Sequence, residues 1–236
     1  MNTPLRWIGT MLLAGAVATF IFDLFGQALS PLAGQARLAP TGLATATLTN
    51  VSQWVGLGIG SVEEAETAVT AAEAEVANTR GGAKRRAEQA LTLAQARLTA
   101  AQAEAAGDTA AFAAAEEEVR SAKRRVDSGY FGRSGWSHFV HFVMVGLIAY
   151  PLGWILFARP AWLAVAPGLH WIVPGLVYGV ALWVFALYFM AHLIAGNPPF
   201  LGFGNITWVA LVGHVLFALT VAGIVEARHP AEPSPV

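Results

Sequence analysis

The sequence contains no cysteine among its 236 residues. Disulfide bonds, thiolate nucleophiles and cysteine-ligated metal sites are therefore excluded. Charge is also scarce: charged residues make up 12% of the chain, and 14 Lys and Arg against 15 Asp and Glu give a net charge of −1. Nucleic-acid-binding proteins need a strongly basic face, so no nucleic-acid partner is expected.

The few charges lie mostly in one region. Residues 61–129 hold nine of the Lys and Arg residues and twelve of the Asp and Glu residues. The rest of a chain that is 56% hydrophobic is almost uncharged, which is typical of a membrane protein rather than of a soluble domain. The sequence therefore predicts three parts: residues 1–60 with a first membrane span, a charged insert at 61–129, and residues 130–236 with the remaining spans.

Four apolar segments are long enough to cross a lipid bilayer, which requires roughly 20 residues as a helix. They lie at about 7–28, 137–157, 168–194 and 206–226. The first is longer than the core of a secretory signal, and no small-residue cleavage motif follows it. Tryptophans near the segment ends are typical of the membrane interface: Trp7, Trp136, Trp154, Trp171 and Trp208. The predicted fold is all-α, a four-helix transmembrane bundle with an extramembrane antiparallel helical coiled-coil insert.

The orientation follows from the charges in the short loops. Arg6 precedes the first segment, Arg159 lies between the second and third, and Arg228 follows the fourth, whereas the loop at 195–204 is uncharged. The positive-inside rule then places both termini in the cytoplasm. The chain is thus predicted to be a multi-pass protein of a bacterial inner membrane, with its helical insert in the periplasm.

The insert shows the pattern of helices that pack along a seam. Ser61 and Glu64 form a capping box, and apolar residues then recur at spacings of three and four in three series. These are Val62, Ala65, Val69, Ala72 and Val76, then Ala87, Leu91, Ala94, Leu98, Ala101 and Ala105, and finally Phe112, Ala115, Val119, Ala122 and Val126. A small antiparallel helical bundle is predicted, which serves either as a solvated spacer or as a docking arm for a protein partner.

After three antiparallel helices, the chain is at the end of the insert opposite to the end where it started. Three solutions stay open. The segment before Ser61 climbs along the bundle, residues 127–135 descend, or the first two series form one bent helix. The segment Thr41–Gly60 is half apolar and too polar to span, so it is predicted to lie at the outer membrane surface or to dip partway into it.

Ionisable side chains within the spans are candidate site residues because each is costly to insert. They are Asp23, His138, His141, His192 and His214, and the predicted orientation puts all five in the outer half of the membrane. One interpretation makes His138 and His141 interfacial, with Asp23 tied to Gln27 or to one histidine. A second combines Asp23, His141 and His214 in a proton or ligand site. In the third, histidines bind haem or a divalent metal, with His141 and His214 as the candidate ligands.

The stretch NPPFLGFGNITWVALVGHVLFALTVAGIVEARH, which begins at Asn197, resembles the C-terminal part of the YagU-like family of small bacterial inner-membrane proteins. The residues that match in order are Pro198, Pro199, Gly213, His214 and Arg228. His141 and the stretch QWVGLG are similar as well, whereas the helical insert and the position of His192 depart from the family. The resemblance implies a helical inner-membrane protein and no particular activity.

These observations favour a non-enzymatic accessory protein whose insert docks a protein partner, and no catalytic residue is assigned. The alternative is a membrane protein that handles a small ligand, protons, or a metal or haem through the Asp/His cluster. Four spans show no inverted repeat of the kind that builds many transporters. A transport role would therefore require a homo-oligomer, and the oligomeric state stays open.

Overall fold

A computed structural model describes residues 4–230, which form helices and contain no strand. Four helices are long and apolar enough to cross a membrane. The helices in chain order are α1 (Pro4–Leu32), α2 (Pro40–Ser52), α3 (Val62–Asn78), α4 (Gly81–Ala105), α5 (Thr109–Phe131), α6 (Trp136–Val165), α7 (Ile172–Ile194) and α8 (Asn205–Arg228). Short 3₁₀ helices cover Gln53–Val55 and Pro199–Phe203. The chain divides into two compact units: a membrane unit, made of residues up to Ala44 and from Ser137 onward, and an insert unit, Thr45–Trp136.

The prediction of four membrane-length helices is confirmed by α1, α6, α7 and α8, which have 29, 30, 23 and 24 residues. The predicted boundaries were less accurate. Helix α6 continues past Phe157 and includes Arg159, which had been assigned to a loop. Within this longer helix Arg159 pairs with Glu226 of α8, with Nε 2.6 Å from Oε1.

Wide turns with i→i+5 hydrogen bonds (π-helix) interrupt three of the membrane helices. They cover Leu24–Leu29, Phe139–Ala149, Trp154–Ala158 and Phe185–Ile194. Prolines follow the first three segments within two residues, at Pro31, Pro151 and Pro160. A proline inside a helix has no N–H to donate, and its ring clashes with the carbonyl one turn earlier. The wider turn before each proline is consistent with this constraint.

Helix α8 is the centre of the membrane unit, since it packs against both α1 and α7 while α1 also packs against α6. Half of the residues in its most apolar stretch are buried, a larger share than in any of the other three membrane-length helices. Small residues allow the helices to approach closely, as is common in membranes. A Cβ on Gly15 of α1 would lie 2.6 Å from the carbonyl oxygen of Gly146 in α6. A Cβ on Gly179 of α7 would lie 2.7 Å from the Cα of Val215 in α8.

Residues 61–131 form three separate helices, α3, α4 and α5, so the single bent helix is ruled out as an interpretation. Helix α4 packs along both α3 and α5, and the short turns between them make neighbouring helices antiparallel. The α4–α5 seam is an apolar cluster of small residues: Leu93, Ala96 and Ala100 from α4 with Ala115, Val119 and Ala122 from α5. The series predicted for α5 lies in this seam.

The series predicted for α4 was only partly correct. Ala87, Ala94 and Ala101 are buried as expected, but Leu91 and Leu98 are half-buried and Ala105 is exposed. The pattern missed Leu93, Ala96 and Ala100, because α4 has a neighbour on each side and therefore buries a second face.

Of the three solutions, the structure shows the first, in which the segment before Ser61 runs along the length of the insert. Ser52 donates through Oγ to Asp127 near the end of α5 at 2.6 Å. Further along, the carbonyl of Leu57 accepts from Nε of Arg97, which lies in the second half of α4, at 3.1 Å. The predicted capping box then starts α3, with both reciprocal hydrogen bonds present. The climb, α3, α4 and α5 make four passes, so the chain enters and leaves the insert at the same end.

Candidate functional site

Asp23 of α1 and His141 of α6 form the one contact between two of the candidate site residues. Nε2 of His141 lies 3.1 and 3.2 Å from the two carboxylate oxygens of Asp23. Because a carboxylate only accepts, His141 is the donor through Nε2–H. The side chain of His141 is 11% exposed, and that of Asp23 is 16% exposed. One turn further along α1, Gln27 donates to the same carboxylate at 2.7 Å, so Asp23 has the two partners that had been considered as alternatives.

The local backbone explains how a short aspartate side chain reaches a residue of another helix. Glycines bring α1 and α6 into backbone contact, since a Cβ on Gly15 would lie 2.6 Å from the carbonyl oxygen of Gly146. Asp23 immediately precedes the wide turn Leu24–Leu29, and His141 lies inside the wide turn Phe139–Ala149. Such turns rotate the side chains that follow them relative to a regular α-helix, and they are frequent at functional sites.

His214 of α8 lies close to this pair without a hydrogen bond to either member. Its ring is buried, and Nδ1 donates to the carbonyl of Ala210, one turn earlier, at 2.7 Å. The ring of Phe22 contacts both histidines, with its centroid 6.3 Å from that of His141 and 5.2 Å from that of His214. The aromatic ring thus links the polar pair to His214 by packing only.

His138 and His192 lie apart from the pair. His138 is exposed and stacks on Phe142, with centroids 6.2 Å apart. His192 donates through Nδ1 to the carbonyl of Asn197 at 2.8 Å and so fixes the start of the loop between α7 and α8. Across residues 4–230 no three His, Asp or Glu side chains converge in a way that could hold a metal ion.

A second polar cluster, which we call the terminal clamp, was not predicted. It joins Arg159 of α6 to Glu226 of α8 and to the backbone carbonyl of His229, which accepts from Nη2 of Arg159 at 2.8 Å. The ring of His229 stacks on Trp7 with centroids 3.7 Å apart. At the same end, Arg6 donates to the carbonyl of Arg228 at 2.9 Å. The signal in the sequence was Glu226, an acid at the end of an apolar helix that needs a partner.

His229 contacts Thr10 in the terminal clamp. The Thr10 hydroxyl lies 2.9 Å from the carbonyl of Arg6 and 3.0 Å from Nε2 of His229, and Nε2 is the donor where the hydroxyl proton goes to the carbonyl. Burial of the ring, and then the guanidinium groups of Arg6, Arg159 and Arg228, lower the pKa of His229. The ring is therefore neutral at pH 7.

No family model, curated protein or solved structure matches this chain. The function must therefore be inferred from the residues themselves. Of the two polar clusters, the terminal clamp consists of structural hydrogen bonds between helix ends. The Asp23–His141 pair combines an acid and an imidazole within hydrogen-bond distance, and this combination can bind and release a proton.

Proposed function

We propose that the chain is a multi-pass inner-membrane protein whose membrane unit responds to protons through Asp23 and His141. The observation that carries the proposal is the hydrogen bond between Nε2 of His141 and the carboxylate of Asp23, which links two helices of membrane length. Ionisable groups at membrane depth cost about 2.5–3.5 kcal/mol on insertion scales and usually mark a functional position. Imidazole is the side chain whose charge ordinarily changes near neutral pH.

The pair can couple proton binding to the contact between α1 and α6. With Asp23 ionised and His141 neutral, one N–H donates to a carboxylate. This bond is already charge-assisted through the carboxylate, and protonation of the imidazole adds the attraction between opposite charges, which strengthens the contact. Protonation of the carboxyl instead removes the negative charge that holds His141. The other groups around the pair are Gln27, which orients the carboxylate, His138 on the same helix as His141, and His214 across the ring of Phe22.

The test uses full-length protein in lipid nanodiscs and measures its infrared difference spectrum between acidic and neutral pH. We expect carboxyl and imidazole bands that disappear together in Asp23→Asn and change in His141→Gln. His138→Gln is the matched control, because His138 lies one turn away and does not contact Asp23. Spin labels on cysteines introduced into α1 and α6 of this cysteine-free chain report whether the helix contact changes with pH. Identical pH responses in the wild type and in both site variants would contradict the proposal.

A second candidate function, docking of a protein partner by the insert, is favoured by the surface of α3. Only Ala65 of this helix is buried, and the helix carries five acids and no base: Glu63, Glu64, Glu66, Glu73 and Glu75. We infer that the insert is an extramembrane antiparallel coiled coil whose acidic helix binds a partner with a basic surface.

Charge reversal tests the docking proposal directly. Glu66→Lys with Glu73→Lys changes exposed side chains of α3, and Glu104→Lys at the end of α4 is the control. We expect the α3 variant to lose a partner that crosslinks to the wild-type protein in cells and that rebinds after purification. A partner set that is the same for all three proteins would exclude docking through α3.

We further propose that both termini lie in the cytoplasm and that the insert is periplasmic. The terminal clamp supports this orientation because it gathers Arg6, Arg159 and Arg228 at one end of the membrane unit. The positive-inside rule places such cations in the cytoplasm, and it does not count the cations of the insert, because long segments cross largely regardless of charge. Cysteines introduced at Ser134 and at Ala161 should react with an impermeant thiol reagent from opposite faces of the membrane. Labelling of Ser134→Cys from the cytoplasmic side would reverse the assignment.

The relationship to the YagU-like family is also proposed. It rests on the sequence resemblance alone, which includes the Gly-His pair of α8. In this structure a Cβ on Gly213 would lie 2.9 Å from the ring of Phe22, and His214 is buried beside the same ring. The structure of a YagU-like protein should show its Gly-His pair packed against an aromatic residue of the first helix. A last helix that turns this pair towards lipid would argue against common ancestry.

A further inference from the structure

The charges of the insert are segregated along its length. The start of α4 and the end of α5 carry most of the cations, and the antiparallel packing of the two helices brings them to one end, which we call the basic end. Its cations are Arg80, Lys84, Arg85, Arg86, Lys123, Arg124, Arg125 and Arg133. Four carboxylates lie towards the same end, on Glu73, Glu75, Glu88 and Asp127. The opposite end is acidic, with Glu104, Asp108, Glu116, Glu117 and Glu118.

Most cations of the basic end have no carboxylate partner. Lys123 is tied to Asp127 at 2.7 Å, and Arg124 forms a longer pair with Glu117 at 3.3 Å. Within residues 61–135, all of which the structure describes, six others are exposed and form no ion pair: Arg80, Lys84, Arg85, Arg86, Arg125 and Arg133. A cluster of like charges repels itself unless anions neutralise it.

Large apolar side chains are exposed at the same end. Trp54 is 69% exposed, and Val55 and Tyr130 are also exposed. The hydrogen bond between Ser52 and Asp127 holds the segment that carries Trp54 beside the end of α5. Cations together with exposed tryptophan and tyrosine are the side chains that proteins place in the headgroup region of a bilayer. A purely electrostatic contact would not require the aromatic residues.

The basic end is also the end from which the chain enters a membrane helix. Arg133 precedes the first residue of α6, Trp136, by three positions, and Lys123 precedes it by thirteen. Clusters of four to eight Lys and Arg immediately beside the cytoplasmic end of a membrane helix are typical of surfaces that bind anionic lipids, and the same attraction acts on anionic headgroups in either leaflet. We propose that the basic end of the insert binds anionic phospholipid headgroups, with Trp54 and Tyr130 inserted at headgroup level. This inference does not depend on the Asp23–His141 pair or on which leaflet is contacted.

The experiment measures amide hydrogen exchange of the full-length protein in nanodiscs made of phosphatidylcholine alone or with about a third phosphatidylglycerol. We expect slower exchange at the start of α4 and at the end of α5 in the anionic discs only. The protection should disappear at about 1 M salt, where the Debye length is about 3 Å. Lys84→Glu, Arg85→Glu and Arg86→Glu combined should weaken lipid binding by at least about a hundredfold, and this variant should show no protection.

The matched control is Glu63→Lys, Glu104→Lys and Glu118→Lys combined, which changes three exposed charges outside the basic end, none of them paired with one of its cations, and should leave the lipid effect intact. Since all six positions lie on the helix surface, loss of folding would appear as faster exchange throughout both helices and is distinguishable. Quenching of Trp54 fluorescence by brominated anionic lipid, measured as the difference between the wild type and Trp54→Phe because seven other tryptophans also fluoresce, supplies an independent readout. Equal exchange in the two kinds of disc would overturn the proposal. Protection that appears only after an acidic protein is added, whichever lipid is used, would overturn it as well.

Discussion

Arg159 of α6 and Glu226 of α8 are 67 positions apart in the chain, yet Nε of the arginine lies 2.6 Å from Oε1 of the glutamate. The side chains are 15% and 8% exposed. The pair joins the second and fourth membrane helices at the end where Arg6 also meets Arg228. Together, these two contacts hold α1, α6 and α8 at one end of the membrane unit.

Removal of one partner from this pair should be strongly destabilising. Breaking a buried ion pair typically costs about 3–5 kcal/mol because a charge is left without compensation. Glu226→Gln should therefore lower the free energy of unfolding by about 3 kcal/mol in detergent micelles, as measured by denaturant titration. Arg159→Met combined with Glu226→Leu should be less destabilising than either single change, and Arg37→Met, at an exposed position, is the control. If the loss of unfolding free energy in the double variant equals the sum of the losses in the two single variants, the two side chains are not coupled.

His229 should make stability depend on pH. Its pKa is lowered in the folded state by burial and by three guanidinium groups, so the unfolded chain binds more protons between that lower pKa and the ordinary value of about 6.5. Stability then rises with pH, and the contribution is present above about pH 6.5 and lost as the pH falls below it. Thermal unfolding of the wild type between pH 7.5 and 5.5 should show this loss, and His229→Gln should reduce the slope. An unchanged slope in the variant would assign the pH dependence to other groups.

The contact between α1 and α6 should not tolerate a side chain at Gly15. A Cβ there would lie 2.6 Å from a backbone oxygen and 2.8 Å from a backbone Cα, neither of which can move without shifting the helix. Gly15→Ala should cost about 1–3 kcal/mol, the usual range for overpacking. Gly9→Ala is the matched control on the same helix, because nothing lies within 4 Å of its Cβ position, and it should be neutral or slightly stabilising. Equal effects of the two changes would refute the close contact.

The seam of the insert should depend on Val119, which is fully buried in α5. Val119→Ala removes two methyl groups from an interface built mostly of alanine, so it should cost roughly 1–3 kcal/mol of insert stability. Val69→Ala, at a half-buried position of α3, should cost less. Hydrogen exchange of α4 and α5 measures the difference, and comparable losses for both variants would mean that the α4–α5 seam is not the main core of the insert.

Local patterns predicted the elements of this fold because hydropathy and capping depend on residues that are near one another in sequence. The four membrane helices follow from runs of apolar residues, the start of α3 follows from Ser61 and Glu64, and the tie between Asp23 and Gln27 follows from their i, i+4 spacing. These features need no knowledge of which helices are neighbours.

Contacts between helices could not be predicted in the same way, since they depend on how each helix is rotated about its axis. Four histidines of the spans were candidate partners of Asp23, and the close glycine contact between α1 and α6 brings His141 within hydrogen-bond distance. The apolar series predicted one buried face for α4, whereas this helix has two neighbours and also buries Leu93 and Ala100 on a second face. The interhelical bonds of the terminal clamp depend on distant residues such as Thr10 and Glu226, which no local pattern links.

The hydrogen bond between Ser52 and Asp127 brings the two ends of the insert together. A segment whose entry and exit points are adjacent can be accommodated in a single surface loop of a host protein without moving the elements on either side, which is the condition for domain insertion. The insert can therefore have been gained, replaced or lost as a cassette during evolution, while the number of membrane crossings and the side on which each helix emerges stay the same.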